Sequence, residues 1–80
     1  MVEITPDLRE SVKKIVCDIL EVEPGELTET THFYEELGVD SLAVLEIMTA
    51  IEDSLGITIE QDKAKRMVSL AAIHDVLAEA

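Results

Sequence analysis

Few side chains in this sequence could do chemistry of their own: Ser41 within "GVDSL", Asp40 before it, Cys17, and the histidines His32 and His74. A serine that attacks as a nucleophile needs a base to accept its proton. Neither histidine forms a local Ser-His-Asp pattern with Ser41, and His74 falls near the inward side of the last amphipathic segment. A hydrolase or transferase therefore lacks its activating base. One Cys, two distant His and no loop of alternating Asp with Gly leave neither a zinc nor a calcium pattern. What remains is a serine that is acted upon. At a helix start, unpaired backbone N–H groups and the helix dipole favour an added anion such as a phosphate ester. The plain alternative is that Asp40 and Ser41 are ordinary N-cap residues.

The elements that must position Ser41 follow from periodicity. Thr5 as N-cap, Pro6 at the first helical position and Asp7 in the first turn open a helix that runs to about Glu21. Leu8, Val12, Ile15, Val16 and Ile19 form its buried stripe. Cys17 falls more than about 90° from the centre of that stripe, so it is expected on the solvent side. "VEPGELTETTHFYEELG" opens on Pro24-Gly25 and reads as a long connection anchored by Leu27, Phe33 and Leu37, in which "FYEEL" can form one helical turn before Gly38. A helix from Ser41 to Leu55 follows and is stopped by Gly56. Ile57 and Ile59 alternate like a strand but have no partner, so an extended linker into a short third helix near Asp62–Met67 is preferred. Ser69 caps a last helix through about Glu79, with Leu70, Ile73 and Leu77 inward. The expected fold is all-α: one domain over 1–80, a small four-helix bundle with a short third helix and a long first loop.

On the Ser41–Leu55 wheel, Val44, Ile47, Met48, Ile51 and Leu55 lie within about 60° of their mean direction and complete a core stripe. Leu42 falls about 160° from Val44, grouped with Glu46, Thr49 and Asp53, while Leu45 and Glu52 sit at the border. A single exposed leucine needs no explanation. One beside a serine, at the head of a helix whose outer face is acidic, suggests a surface that partners read.

Composition narrows the classes further. Eighteen acids against six bases give a formal net charge of −12, which attracts basic surfaces and excludes nucleic acid, whose phosphates need Lys and Arg. No apolar run approaches the roughly 20 residues of a membrane span, and "MVEITPDLRE" lacks the features of a signal peptide. A free-standing, monomeric, cytoplasmic protein is expected, and the lone Cys17 agrees with a reducing compartment. With Phe33 and Tyr34 the only aromatics, Leu, Ile, Val and Met must build a soft core.

"LGVDSLAVLEIMTAIEDSLGI" resembles the region around the attachment serine of acyl carrier proteins, and the first helix, "FYEELG" and the closing "SLAAIHDVL" fall in that family's order. The resemblance implies that Ser41 carries 4′-phosphopantetheine, attached from coenzyme A by a separate phosphopantetheinyl transferase. Acyl groups would then ride as thioesters on the arm's thiol, not on Cys17, and the protein would carry substrate without catalysing its conversion. It further implies partner recognition by Asp40, Leu42, Leu45, Glu46, Thr49, Glu52 and Asp53, and an acyl-chain space lined by Val44, Met48, Ile59, Met67 and Ile73. Partners would be ketosynthases, acyltransferases or acyl ligases and tailoring enzymes with basic docking patches. "DKAKRM", with Lys63, Lys65 and Arg66, is more basic than is typical of fatty-acid carriers, and Ala43 and Thr49 also depart from their pattern. These departures favour a polyketide or other specialised pathway over general fatty-acid synthesis. "GVDSL" lacks the Gly-Gly common in peptidyl carriers, which disfavours aminoacyl cargo. The alternative of another class is an unmodified acidic helical adaptor that docks through Leu42 and its neighbouring carboxylates.

Overall fold

The computed structural model describes residues 2–79; residues 1 and 80, which the expected domain includes, lie outside the described residues. Four α-helices carry the chain: α1 (Pro6–Leu20), α2 (Phe33–Leu37), α3 (Ser41–Leu55) and α4 (Leu70–Ala78). Short 3-10 turns at Pro24–Glu26 and Gln61–Arg66 complete the order, and the described residues contain no strand. The short third helix expected at Asp62–Met67 is thus a 3-10 turn that begins one residue earlier and ends at Arg66. "FYEEL" is the helical turn α2.

Side-chain caps start the helices where the sequence places them. Thr5 Oγ1 accepts from the N–H of Leu8 at 3.1 Å, Asp40 Oδ1 from Ala43 at 2.9 Å, and Ser69 Oγ from Ala72 at 3.2 Å. Each satisfies one of the donors that a helix start leaves without an internal partner. Gly56 ends α3 in the left-handed region at φ 67°, which glycine adopts without a Cβ clash. Glu21 closes α1 at φ 56°, an uncommon conformation for a residue with a side chain, and from there the chain folds back over the end of its own helix.

That reversal overturns the expected placement of Cys17. Its side chain is only 6% exposed, although it lies off the α1 stripe. The N–H of Val22 bonds the carbonyl of Cys17 at 3.1 Å, and the turn at Pro24–Glu26 packs on α1, so a second flank of the helix is covered by local chain. Burial pushes the thiol pKa up; Lys13 opposes this, and Asp18 and Glu23 add to it.

The core is one cluster drawn from every helix and from the connections. Val12 and Val16 of α1 meet Val44, Ile47, Met48 and Ile51 of α3, and α1 packs more extensively on α3 than on α4. Leu70, Ile73, Val76 and Leu77 of α4 close it, with Leu27 and Phe33 as fully buried anchors of the long connection. Leu37, the third expected anchor, is half-buried at the edge of this cluster. The connection is also tied through backbone: Phe33 N–H bonds Val68 O at 2.8 Å, and Ala71 N–H bonds Glu29 O at 3.0 Å. A long loop tied at both ends can hold the start of α3 in a fixed place.

A candidate attachment serine on an acidic helix face

Ser41 is the first residue of α3, with Asp40 as its N-cap, and its side chain is exposed. The cap uses one helix-start donor on Asp40, while the backbone N–H groups beside Ser41 have no intrahelical acceptor. The serine hydroxyl makes no hydrogen bond within the described residues. A phosphate ester on that oxygen would lie against the positive end of a helix of 15 residues. The site therefore fits an added phosphodiester by exposure, by donor supply and by field.

Among the described residues, neither histidine is bonded to the hydroxyl. His32 is the N-cap of α2: its ring Nδ1 accepts from the N–H of Glu35 at 3.2 Å, and its backbone N–H donates to Glu36 Oε2 at 2.7 Å. His74 is buried, with Nδ1 3.1 Å from Glu29 Oε1 and 3.4 Å from Arg9 Nη1. Its Nε2 is enclosed without a partner among the described residues. Both rings thus have structural roles, and any proton leaving Ser41 must go to a group from elsewhere.

The face around Ser41 is apolar at its centre and acidic at its edges. Leu42 is 63% exposed, the one large hydrophobic side chain so exposed among the described residues. Leu42, Leu45, Glu46, Thr49 and Asp53 line a common surface groove, to which the structure adds Ala50, absent from the sequence reading. Its signal was present, since position 50 lies eight residues after Leu42 on the same helical row. Thr49 Oγ1 donates to the carbonyl of Leu45 at 3.0 Å, so its only polar side-chain atom is satisfied within the helix. Glu52, expected on the same surface, is half-buried, and its Oε2 accepts from the N–H of Ile59 at 3.0 Å. That bond fastens the extended segment after Gly56 to α3.

Charge is strongly segregated along the chain. Residues 15–62 hold 13 of the 18 acids and none of the six Lys and Arg. Among the described residues, no ion pair involves Asp40, Glu46 or Asp53, whereas Arg9, Lys63 and Arg66 are all paired to glutamates. The Ser41 face therefore keeps a negative field that no ion pair within the described residues neutralises.

Val44, Met48, Ile59, Met67 and Ile73, the residues expected to line an acyl-chain space, are all buried in the one apolar cluster. Ile59 also borders a small cleft of about 210 Å³ with Thr58, Glu60, Lys63, Val76 and Glu79. The described residues contain no cluster of His, Cys, Asp and Glu arranged to hold a metal ion. No described helix is long and apolar enough to cross a membrane.

These features define a class: a small acidic helical domain that presents one serine at the head of a readable helix. Residues 10–77 match the family described as Phosphopantetheine attachment site. Over 72 residues the chain is 43% identical to the polyketide-8 synthase acyl carrier protein 1 of Streptomyces avermitilis, covering 90% of this chain and 86% of that one. It is 38% identical over 61 residues to an acyl carrier protein of Zymomonas mobilis, covering 76% of this chain and 78% of that one. A solved structure assigned as an acyl carrier protein of Mycobacterium tuberculosis shares the fold at a TM-score of 0.78 and 24% identity, covering 89% of this chain and 95% of that one. The chain belongs to the acyl carrier protein family, whose members carry phosphopantetheine and act as carriers rather than catalysts.

Proposed function

We propose that this chain, as a single carrier domain over 1–80, bears 4′-phosphopantetheine on Ser41 and shuttles acyl thioesters between the enzymes of a polyketide pathway. The observation that carries this reading is the exposed, unengaged Ser41 at the head of α3, next to a 63% exposed Leu42. The name of the Streptomyces relative supports a polyketide pathway over general fatty-acid synthesis. When bound, the group supplies a terminal thiol that holds acyl cargo as a thioester on a long flexible arm.

In the loading step, Ser41 Oγ forms a bond to the phosphorus that carries the pantetheine in coenzyme A. The pyrophosphate P–O bond breaks, and adenosine 3′,5′-bisphosphate leaves with that bridging oxygen. The serine proton goes to a base of the phosphopantetheinyl transferase, because His32 and His74 are committed elsewhere. The helix start then faces the new phosphodiester with its backbone N–H groups. The buried Cys17 thiol, kept protonated, does not compete for acyl groups.

Asp40, Leu42, Leu45, Glu46, Thr49 and Asp53 form the face that visiting ketosynthases, acyltransferases or acyl ligases and tailoring enzymes read, with Glu52 shaping its border. Basic patches on those enzymes are steered by the field of residues 15–62, so association is fast and sensitive to salt. Val44, Met48, Ile59, Met67 and Ile73 form the soft wall that cargo can part. The protein works as a monomer in the cytoplasm.

Incubation with coenzyme A and a phosphopantetheinyl transferase should raise the intact mass by one phosphopantetheine, and Ser41→Ala should abolish the gain. A wild-type chain that gains nothing, or a Ser41→Ala chain that still gains it, refutes the assignment.

A further inference from the structure

We propose that residues 28–31 form a flap over the buried His74 that lifts as a unit while Leu27 and Phe33 stay seated in the core, and that Glu29 is its clasp. The flap is independent of what Ser41 carries. Its sequence, "TETT", holds no large apolar side chain, whereas Leu27 before it and Phe33 beyond it are 1% and 0% exposed. Lifting the segment therefore forfeits little apolar burial, and two seated anchors bound the motion.

The flap is also tied within itself. Thr31, the one buried residue of the four, accepts at its hydroxyl oxygen from the N–H of Thr28 at 3.0 Å and lies 2.8 Å from the Thr28 hydroxyl. The backbone N–H of Thr31 returns to Thr28 O at 3.3 Å. These bonds break nothing when the segment moves, so it moves as one piece.

The ties to α1 and α4 converge on Glu29. Its carbonyl accepts from the N–H of Ala71 at 3.0 Å, and its Oε1 lies 3.0 Å from Arg9 Nη1 and 3.1 Å from His74 Nδ1. An ionised carboxylate only accepts, so Nδ1 carries the proton of that contact, and Arg9 and His74 share one acceptor. The clasp is weak, because the Glu29 and Arg9 side chains are 49% and 51% exposed and water competes for both.

The ring beneath supplies a reason to open. With Nδ1 donating, Nε2 is a lone pair without a donor in the neutral ring or an N–H without an acceptor in the charged one, and it is enclosed with no partner among the described residues. Either form bears the cost of a desolvated polar atom while the flap is down and recovers it when water enters.

The test is native-state hydrogen exchange by NMR at one fixed pH, in urea below the unfolding transition. The Ala71 amide, whose acceptor belongs to the flap, should exchange through an opening with almost no urea dependence. The amides of Phe33, Ile47 and Ile73 should follow the steep dependence of global unfolding. Glu29→Ala should lower Ala71 protection about tenfold without urea. Diethyl pyrocarbonate, which acylates an imidazole nitrogen, should modify His74 faster in folded Glu29→Ala by a similar factor, read by peptide mass. An Ala71 amide with the urea dependence of Ile47 overturns the flap, and this wild-type series decides even where the variant does not fold. A shallow dependence shared with Ile73 reports a fraying helix start and overturns it as well. Unchanged Ala71 protection in Glu29→Ala removes Glu29 as the clasp, and unchanged His74 reactivity removes the ring as what the flap covers.

Discussion

The head of α3 and the corner where the Gln61–Arg66 turn meets the end of α4 use charge in opposite ways. At the corner, Arg66 grips Glu79 through two hydrogen bonds of 2.8 and 2.5 Å, and Lys63 adds a contact at 3.7 Å. Charge there is spent within the molecule and holds α4 to the turn. On α3, Glu46 and Asp53 have no cation within the described residues. An unpaired exposed carboxylate contributes little to folding and remains available to a partner, where it raises the rate and fidelity of encounter. The basic residues that mark "DKAKRM" are therefore largely absorbed by intramolecular contacts, and Lys65 is the exposed one that makes no ion pair among the described residues.

The contrast within α3 can be broken most forcefully at its two faces. Ile47→Ala, at a fully buried position, should lower unfolding free energy by about 2–5 kcal/mol in urea melts, a large share of what so small a domain has. Ser41→Ala on the outer face should leave the melt unchanged within about 0.5 kcal/mol while abolishing arm attachment. Equal destabilisation by the two would mean that the head of α3 is structural.

Glu29 marks the tied side. Its Oε1 lies 3.0 Å from Arg9 Nη1 and 3.1 Å from the buried His74 Nδ1. Glu29→Ala removes His74's carboxylate partner and should cost about 1–3 kcal/mol in the same melts, because a buried polar group loses an interaction. A neutral outcome would show that this contact does not hold the loop.

Asp53→Asn should shift stability by no more than about 0.5 kcal/mol in either direction. Its effect should fall on transferase association, measured by stopped flow, as a slower on-rate with a flatter dependence on salt. An unchanged salt dependence would remove Asp53 from the recognition face.

The smallest effect belongs to the corner. The hydrogen bonds from Arg66, opposed by desolvation and then assisted by the charges of Arg66 and Lys63, lower the Glu79 carboxyl from 4.5 to about 2. A carboxylate whose pKa is depressed by folding contributes stability above its unfolded value and loses it as pH falls through the folded one. Wild type should therefore exceed Glu79→Gln by a small margin at neutral pH, and the margin should shrink between pH 4.5 and about 2. A carboxyl titration midpoint near 4.5 by NMR would contradict the corner geometry.

Much of this was legible from residue spacing. Thr5, Asp40 and Ser69 set helix starts because a side-chain oxygen three residues before a free N–H is a local matter, indifferent to the rest of the chain. Val44, Ile47, Met48 and Ile51 lie inward because the 3.6-residue repeat puts them on one side. The same repeat sends Leu42 outward beside Ser41; the arm on that serine came from the family resemblance and not from the spacing.

Contacts between distant segments could not be read that way. Cys17 looked solvent-facing because the wheel identifies the richest apolar side of a helix but not a second flank covered by a returning chain. Glu29 gave no sign that it would meet Arg9 and His74, which lie 20 and 45 residues away along the chain. Glu52, at the border of the α3 wheel, gave no sign that the segment after Gly56 would fold back to place the N–H of Ile59 against it. Local hydrogen bonds and periodicity depend on neighbours a turn away and are written in order along the chain. Which segments close over a helix depends on how the whole core fills, and that emerges only once the pieces have packed.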